Sequence, residues 1–436
     1  MTQRFDANTH PLDPGLRLLE ASAGTGKTFA LAHLCLRLIT ERGIPLQAVL
    51  VVTFTEAAAA ELRSRIGARL QLALQGLDAL QQNTSLPETD QVLIAWWDRA
   101  PSGAERSVWI SRLLVALEQL DAADITTIHG FCSRSLRRMA LSSGAAMQPL
   151  IETDATVLLQ EVVQEVWQEQ MLTLPVAQLQ GLDQAGLSAD GLREALARLD
   201  GDPHPTLEMP TGALDPDQPL SVQLQGLINA AWQRFLTLWS RDGRTLESCF
   251  RAAAEQWKAL GFKSSPYSAK PRTDRCAQVD RWISTLSEAP DLSVIRAFEK
   301  PLREYFHPGS WCKVARRCGE DNPSLAAAEL QSAIADLWDG PPEHVWRYLL
   351  QRCLRSLAER RQRSGSISFA GLLAAMDPGE VADASWLAPL RERFRAVMVD
   401  EFQDTDPVQW RLLRRAFAQG SDRHLLLLVG DPKQAI

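Results

Sequence analysis

Eight consecutive residues near the amino terminus, Ala21-Ser22-Ala23-Gly24-Thr25-Gly26-Lys27-Thr28, carry the spacing of a Walker A phosphate loop. Glycines let backbone N–H groups curl around phosphate oxygens at a helix start, the lysine neutralises the outer phosphates, and the Thr28 hydroxyl is placed to ligate Mg2+. The context fits this chemistry, because the apolar run Leu16 to Glu20 precedes the loop and the helix-like run Phe29 to Thr40 follows it. Ala21 stands where many such loops have glycine, so the first turn must be one that alanine adopts.

A phosphate loop needs a second strand that brings carboxylates to the metal and to the attacking water. The segment Arg395-Ala396-Val397-Met398-Val399-Asp400-Glu401-Phe402-Gln403-Asp404 supplies one. Four apolar residues bury a central strand and the two acids emerge at its carboxyl end, the edge where open α/β sheets bind ligands. Asp400 is expected to reach Mg2+ through water, and Glu401 to orient and polarise the hydrolytic water. Alone, an Asp-Glu pair after an apolar strand reads as a solvated strand end; beside a phosphate loop it reads as catalytic. A third apolar run, His424 to Val429, leads into Gly430-Asp431-Pro432-Lys433-Gln434, which would set the Gln434 amide beside the γ-phosphate.

These groups need a common scaffold. The runs Leu16 to Glu20, Val49 to Phe54, Ala396 to Val399 and Leu425 to Val429 each lead into a helix-like stretch, which predicts a parallel sheet covered on both faces and split in sequence. Between them lie long stretches of helical spacing, such as Ala155 to Met171 and Leu325 to Trp338, with a Pro/Gly/Asp-rich loop around Asp200 to Pro219. The expected organisation is a first sheet segment over 1–135, a helical insertion over 136–364 and a second sheet segment over 365–436. The segments Gln81 to Thr89 and Ala100 to Ala104 read as surface loops, and Trp96, Trp97 and Trp167 as core.

With 436 residues, 45% hydrophobic and 23% charged, the chain has the composition of a soluble protein of two or more domains. A net charge of −7 excludes binding nucleic acid through the overall field, so any such contact must come from local patches, rich in arginine because only seven of the 46 basic residues are lysine. Cys35, Cys132, Cys249, Cys276, Cys312, Cys318 and Cys353 are scattered without a C-x-x-C pair, which argues for a reducing compartment. No apolar run of membrane-spanning length and no secretory signal is visible, so the expected location is the cytoplasm, without a membrane partner.

The blocks ASAGTGKT, VVTFTEAAAAELRSRI, TTIHGFC, SISFAGLL, VMVDEFQDTDPVQW and LLLVGDPKQAI come in the order and wording of the UvrD-like superfamily 1 DNA helicases. Within that family LLEASAGTGKT, DEFQDTDP and GDPKQAI resemble the RecB (exodeoxyribonuclease V beta subunit) branch. The resemblance covers about residues 1–140 and 365–436. It implies an α/β P-loop NTPase (RecA-like) domain interrupted by a large helical insertion of 1B type, with ATP and Mg2+ as ligands. It also implies a 3′–5′ DNA translocase of double-strand break repair and recombination, acting on a single strand with duplex ahead and working with RecC-like and RecD-like subunits. Where the family carries an adenine-reading glutamine before the first strand, this sequence offers Asp13. The chain stops inside the last block, so a second RecA-like domain and a nuclease domain are expected outside these residues. The chain alone is then expected to bind Mg-ATP weakly, hydrolyse little and unwind nothing.

By the same resemblance Thr53, Phe54, Thr55, Thr127 and His129 face the single-stranded DNA track. Read without it, Thr55 simply caps a helix and His129 is structural. Lys263, Lys270, Arg272, Arg275 and Arg281, interleaved with Tyr267 and Trp282, form a basic aromatic stretch that either meets the duplex or is a solvated loop. Three other identities remain open: a stand-alone UvrD-type helicase, the motor of an AddA-type helicase-nuclease, and a non-catalytic DNA-binding or assembly module.

Overall fold

The structure, a computed structural model, describes residues 5–21, 26–142, 150–152, 154–262, 267, 274–286, 290–298, 300–320, 323, 325, 327–379, 387–419 and 423–434. The chain divides into two compact units, Met1–Thr153 with Gly365–Ile436, and Asp154–Ser364.

The first unit contains strands β1 (Gly15–Glu20), β2 (Val49–Thr53), β3 (Asp124–Thr127), β4 (Leu150–Ile151), β5 (Ser366–Ile367), β6 (Ala396–Val399) and β7 (Leu425–Gly430). Five of them form one sheet in the order β1-β7-β6-β2-β3, every neighbouring pair parallel, while β4 and β5 pair separately. Strands β2, β6 and β7 are buried at every position, as expected of central strands covered on both faces. Alternation along β2 sends Val49 and Val51 into one core and Leu50 and Val52 into another. Edge strand β1 is less covered, with Leu16 and Leu18 exposed at 52% and 57%. The strand β3 goes beyond the four apolar runs of the sequence, because Asp-Ile-Thr-Thr is short and holds a single aliphatic residue.

Helices α1 (Lys27–Thr40), α2 (Glu56–Gln82), α3 (Gln91–Trp97), α4 (Ala104–Glu118) and α5 (Ile128–Ser142) connect the first three strands and follow the third. On one side of the sheet Leu31, Leu34, Leu38, Ile66, Leu70 and Trp96 pack against Val49 and Leu427. Each such fully buried side chain contributes about 1.5–3 kcal/mol from removal of apolar surface. Trp97 lies over Gly76, where a Cβ would stand 2.1 Å from the indole, so α2 must carry glycine there. Asp90 caps α3 by accepting from Leu93 N and is ion-paired with Arg69, whose guanidinium sits 4.3 Å over the Phe29 ring. On the other side Phe131, Leu372, Met376, Phe394 and Leu413 pack with Leu50, Val52 and Val397.

The second unit is helical among its described residues, from Thr156–Met171 to Gly340–Ser364, with residues 201–219 as a long loop. Its longest helix, Leu220–Ala259, buries Leu220, Leu224, Ile228, Trp232, Phe235 and Trp239 at spacings of three and four, which lays one stripe along the core. No described helix is long and apolar enough to cross a membrane.

Candidate functional site

The phosphate-loop candidate begins where β1 ends. Ala21 N donates to Gly430 O at 3.0 Å, which ties the start of the loop to the end of β7. Ser22, Ala23, Gly24 and Thr25 lie outside the described residues. Gly26 resumes the chain at φ 88°, a left-handed turn that a side chain would strain, and caps α1 from there. Lys27 and Thr28 therefore open the helix. The Lys27 side chain is 9% exposed, and its ammonium is ion-paired with Glu401, 374 residues away in sequence.

Both carboxylates come from the end of β6, which lies between β7 and β2. Asp400 N donates to Val52 O at 2.8 Å, so the turn leaves the sheet under restraint from β2. Asp400 is 8% exposed, and its Oδ1 is buried without a hydrogen-bond donor among the described residues. Burial first, and the adjacent Glu401 charge second, push its carboxyl above the ordinary carboxylate value. The chain then turns through Glu401 at φ 51° and ψ 47°, a left-handed conformation that costs a non-glycine residue about 1 kcal/mol or more. That turn lets the Glu401 carboxylate meet Lys27. Burial opposes the Glu401 charge, but hydrogen bonds from Gln403 and Lys27 outweigh it and hold the carboxyl below its usual value.

Gln403 was present in the sequence block but carried no expected role. Its Nε2 donates to Glu401 Oε2 at 2.7 Å and its Oε1 accepts from Asp431 N at 2.9 Å. Gly430 leaves room for that amide, since a Cβ would stand 2.7 Å from Gln403 Oε1. Asp431 is buried, its carbonyl accepts from Gln434 N at 2.9 Å, and the Gln434 residue itself is exposed. The strand ends of β1, β6 and β7 thus bring Lys27, Asp400, Glu401 and the Gln434 loop to one sheet edge.

A cleft beside Gly26 and Lys27 is lined by Phe5, Asp6, Ala7, Phe29, Ala30 and Val92. Asp13, which stands where the family carries an adenine-reading glutamine, is not among the described lining residues; its side chain is 63% exposed and ion-paired with Arg42 at 3.1 Å. The wall of the cleft is built instead by segments far apart in sequence, which no local motif announces.

Of the residues expected to face DNA, Phe54 is 60% exposed, just past the end of β2. Thr53 is buried, with a hydroxyl that meets no partner among the described residues. Thr55 caps α2 by accepting from Ala58 N at 3.1 Å. Thr127 is buried, donates to Glu56 Oε1 at 2.8 Å and accepts from Gly130 N at 3.0 Å. His129 is partly buried with its ring edge-on to Phe369 at 4.8 Å, and burial lowers its pKa. The Thr127 hydroxyl is therefore committed inside the protein, whereas the exposed Thr55 hydroxyl accepts the cap bond and keeps its O–H to donate. In the second unit Lys263, Lys270 and Arg272 lie outside the described residues. Tyr267 is 1% exposed and Trp282 packs between Trp232 and Phe298, so the aromatic part of that basic stretch is core. Arg275 covers the Tyr305 ring at 3.9 Å, leaving the exposed Arg281 as the described cation of the stretch that faces solvent.

The chain is 29% identical to the RecBCD enzyme subunit RecB of Escherichia coli (strain K12), over 97% of this chain and 34% of that protein. The subunit of the same name from Haemophilus influenzae is 27% identical, over 99% of this chain and 37% of its own length. An ATP-dependent helicase/nuclease protein of Desulforudis audaxviator is 26% identical over 96% of this chain and 34% of its own. The chain thus spans about a third of the length of these curated relatives. The sequence profile of the UvrD/REP helicase N-terminal domain matches residues 2–436, and with that match over nearly every residue the chain belongs to the UvrD/REP helicase family.

Proposed function

We propose that this chain is the ATP-binding part of a DNA-translocating motor of the RecB type, a 3′–5′ helicase acting on broken duplex ends in repair and recombination. The observation that carries the reading is the ion pair between Lys27 and Glu401, which joins the phosphate loop to the acidic strand end across nearly the whole sequence. The residues also fit a magnesium nucleotide. Asp400 holds a buried carboxylate oxygen with no donor among the described residues, a position that a cation would stabilise.

In this reading Lys27 Nζ binds the outer phosphates and leaves Glu401 to do so. Thr28 and Asp400 would hold Mg2+, which when bound neutralises phosphate charge and stabilises the leaving oxygen. Glu401 accepts a hydrogen bond from the attacking water and orients it. Gln434 reports the γ-phosphate, and Phe54 offers a stacking face to a base of the single strand. The helical unit is assigned the 1B-like role at the duplex, and RecC-like and RecD-like subunits are the proposed partners.

The test is binding of a fluorescent ATP analogue with Mg2+ to the chain, beside DNA-stimulated hydrolysis by the complete protein. Lys27→Ala is expected to weaken binding by about tenfold or more, through loss of a charge-assisted contact, and to abolish hydrolysis. Equal binding and turnover would leave a DNA-binding or assembly module as the better account. The likeness to the helicase/nuclease protein of Desulforudis audaxviator favours one second reading, an AddA-type motor. Copurification from the native cell separates the two, since a RecB-type motor would bring down two different partner proteins.

A further inference from the structure

Gln403 occupies a position that the proposed chemistry does not yet use. Its side-chain amide is oriented without ambiguity, because Nε2 faces the carboxylates of Glu401 and Asp404 at 2.7 and 3.4 Å while Oε1 faces the Asp431 N–H at 2.9 Å. Glu401 Oε2 accepts from two donors, Lys27 and Gln403. A phosphate that draws Lys27 away leaves Gln403 as the remaining donor to that oxygen among the described residues. The other end of the same amide grips the loop that carries Gln434, whose N–H donates to Asp431 O. Three hydrogen bonds therefore run in series from Glu401 through Gln403 and Asp431 to Gln434, and Gly430 is bare of a Cβ where the amide passes.

We propose that Gln403 is a positioning residue that keeps the Glu401 carboxylate aimed when Lys27 moves to phosphate, and that it couples this carboxylate to the Asp431–Gln434 loop. The strut makes the water-orienting group and the γ-phosphate reporter move as one body, so that a shift of the loop re-aims the carboxylate. The proposal rests on the ATPase reading above and assigns a residue within it.

Two substitutions separate the two ends of the strut. Gln403→Leu keeps the volume and removes both hydrogen bonds. Gln403→Glu keeps an acceptor for the Asp431 N–H but sets a carboxylate against Glu401. In the complete protein both are expected to lower kcat about 10- to 100-fold, the effect of losing a hydrogen bond to a charged group, while nucleotide affinity stays within about threefold. In the nucleotide-free protein, amide hydrogen exchange over residues 430–434 is expected to quicken in Gln403→Leu and to stay near wild type in Gln403→Glu. Unchanged kcat in both variants would overturn the proposal. So would a parallel fall of kcat, affinity and melting temperature in both, which marks a structural role, or equal exchange in the two. Lys27→Ala runs alongside: if it hydrolyses ATP as fast as wild type, the ATPase reading fails, whereas an inactive Lys27→Ala beside fully active Gln403 variants defeats the strut alone.

Discussion

Replacing Asp400 by asparagine is expected to stabilise the nucleotide-free fold while weakening its response to magnesium nucleotide. Asp400 is 8% exposed, its Oδ1 has no donor among the described residues, and the Glu401 charge adjoins it, so the ionised form is held at a cost. Leaving a buried acceptor unsatisfied costs about 1–3 kcal/mol and more when it is charged; the amide keeps an oxygen there but removes the charge and its repulsion by Glu401, at nearly unchanged volume. A gain of about 1–2 kcal/mol, on the conservative side of that range, corresponds to about 2–8 °C in Tm for a domain of this size. The sign with pH follows from the raised folded-state pKa. Below the ordinary carboxylate value both states of the chain are protonated there and the cost is absent; as pH rises through the folded-state pKa the cost develops and then persists. Thermal melts of wild type and Asp400→Asn in EDTA, from pH 4 to pH 8, should therefore lie closest at the acid end and diverge toward pH 8 with the variant higher. Adding Mg2+ and ATP should raise the wild-type Tm by more than that of the variant, which keeps Lys27 but lacks one Mg2+ ligand. A variant that melts lower at pH 8, or that gains equally at pH 4, would refute the reasoning.

Phe54→Ala should weaken single-strand binding about 5- to 100-fold, the range for one lost base stack, with no fall in Tm, read by fluorescence anisotropy and thermal melting. Thr55→Ala should do the reverse, costing about 1 kcal/mol of stability as a lost helix cap while leaving single-strand affinity within about twofold. Gly430→Ala should push the Gln403 amide aside and lower stability by about 1–3 kcal/mol, measured by urea denaturation, because its Cβ would also stand 3.2 Å from Gln403 N.

The strands that deliver the site were legible because each is a run of aliphatic residues ending in chemistry: β1 before the phosphate loop, β6 before Asp400, β7 before Gly430. Their side-by-side order was not, since pairing of β1 with β7 joins residue 15 to residue 425 and no local pattern encodes it. The family motif placed Thr127 toward DNA, yet its hydroxyl is taken by Glu56, 71 residues earlier, a partner visible only after folding. Tyr267 looked solvent-facing among basic neighbours, but Phe250, Tyr305 and Trp311 enclose it from three other segments. Gln403 escaped notice for a different reason: a glutamine between acids has no chemistry of its own until Gly430 and Asp431 are brought against it.

The β1–β7 pairing also sets a schedule for synthesis. The strand that begins at Gly15 has to wait until Leu425 to Gly430 emerges from the ribosome before its hydrogen bonds can form. In that interval the 211-residue helical unit, Asp154–Ser364, is made and can fold, because its core draws on its own residues. Meanwhile the nascent Leu16 and Leu18 stay unpaired on a strand that is half uncovered even when folded, a sticky edge during translation. Slow codons anywhere between those for Glu20 and Leu425 should thus lengthen the exposure and lower yield, whereas the same delay ahead of Gly15 should not.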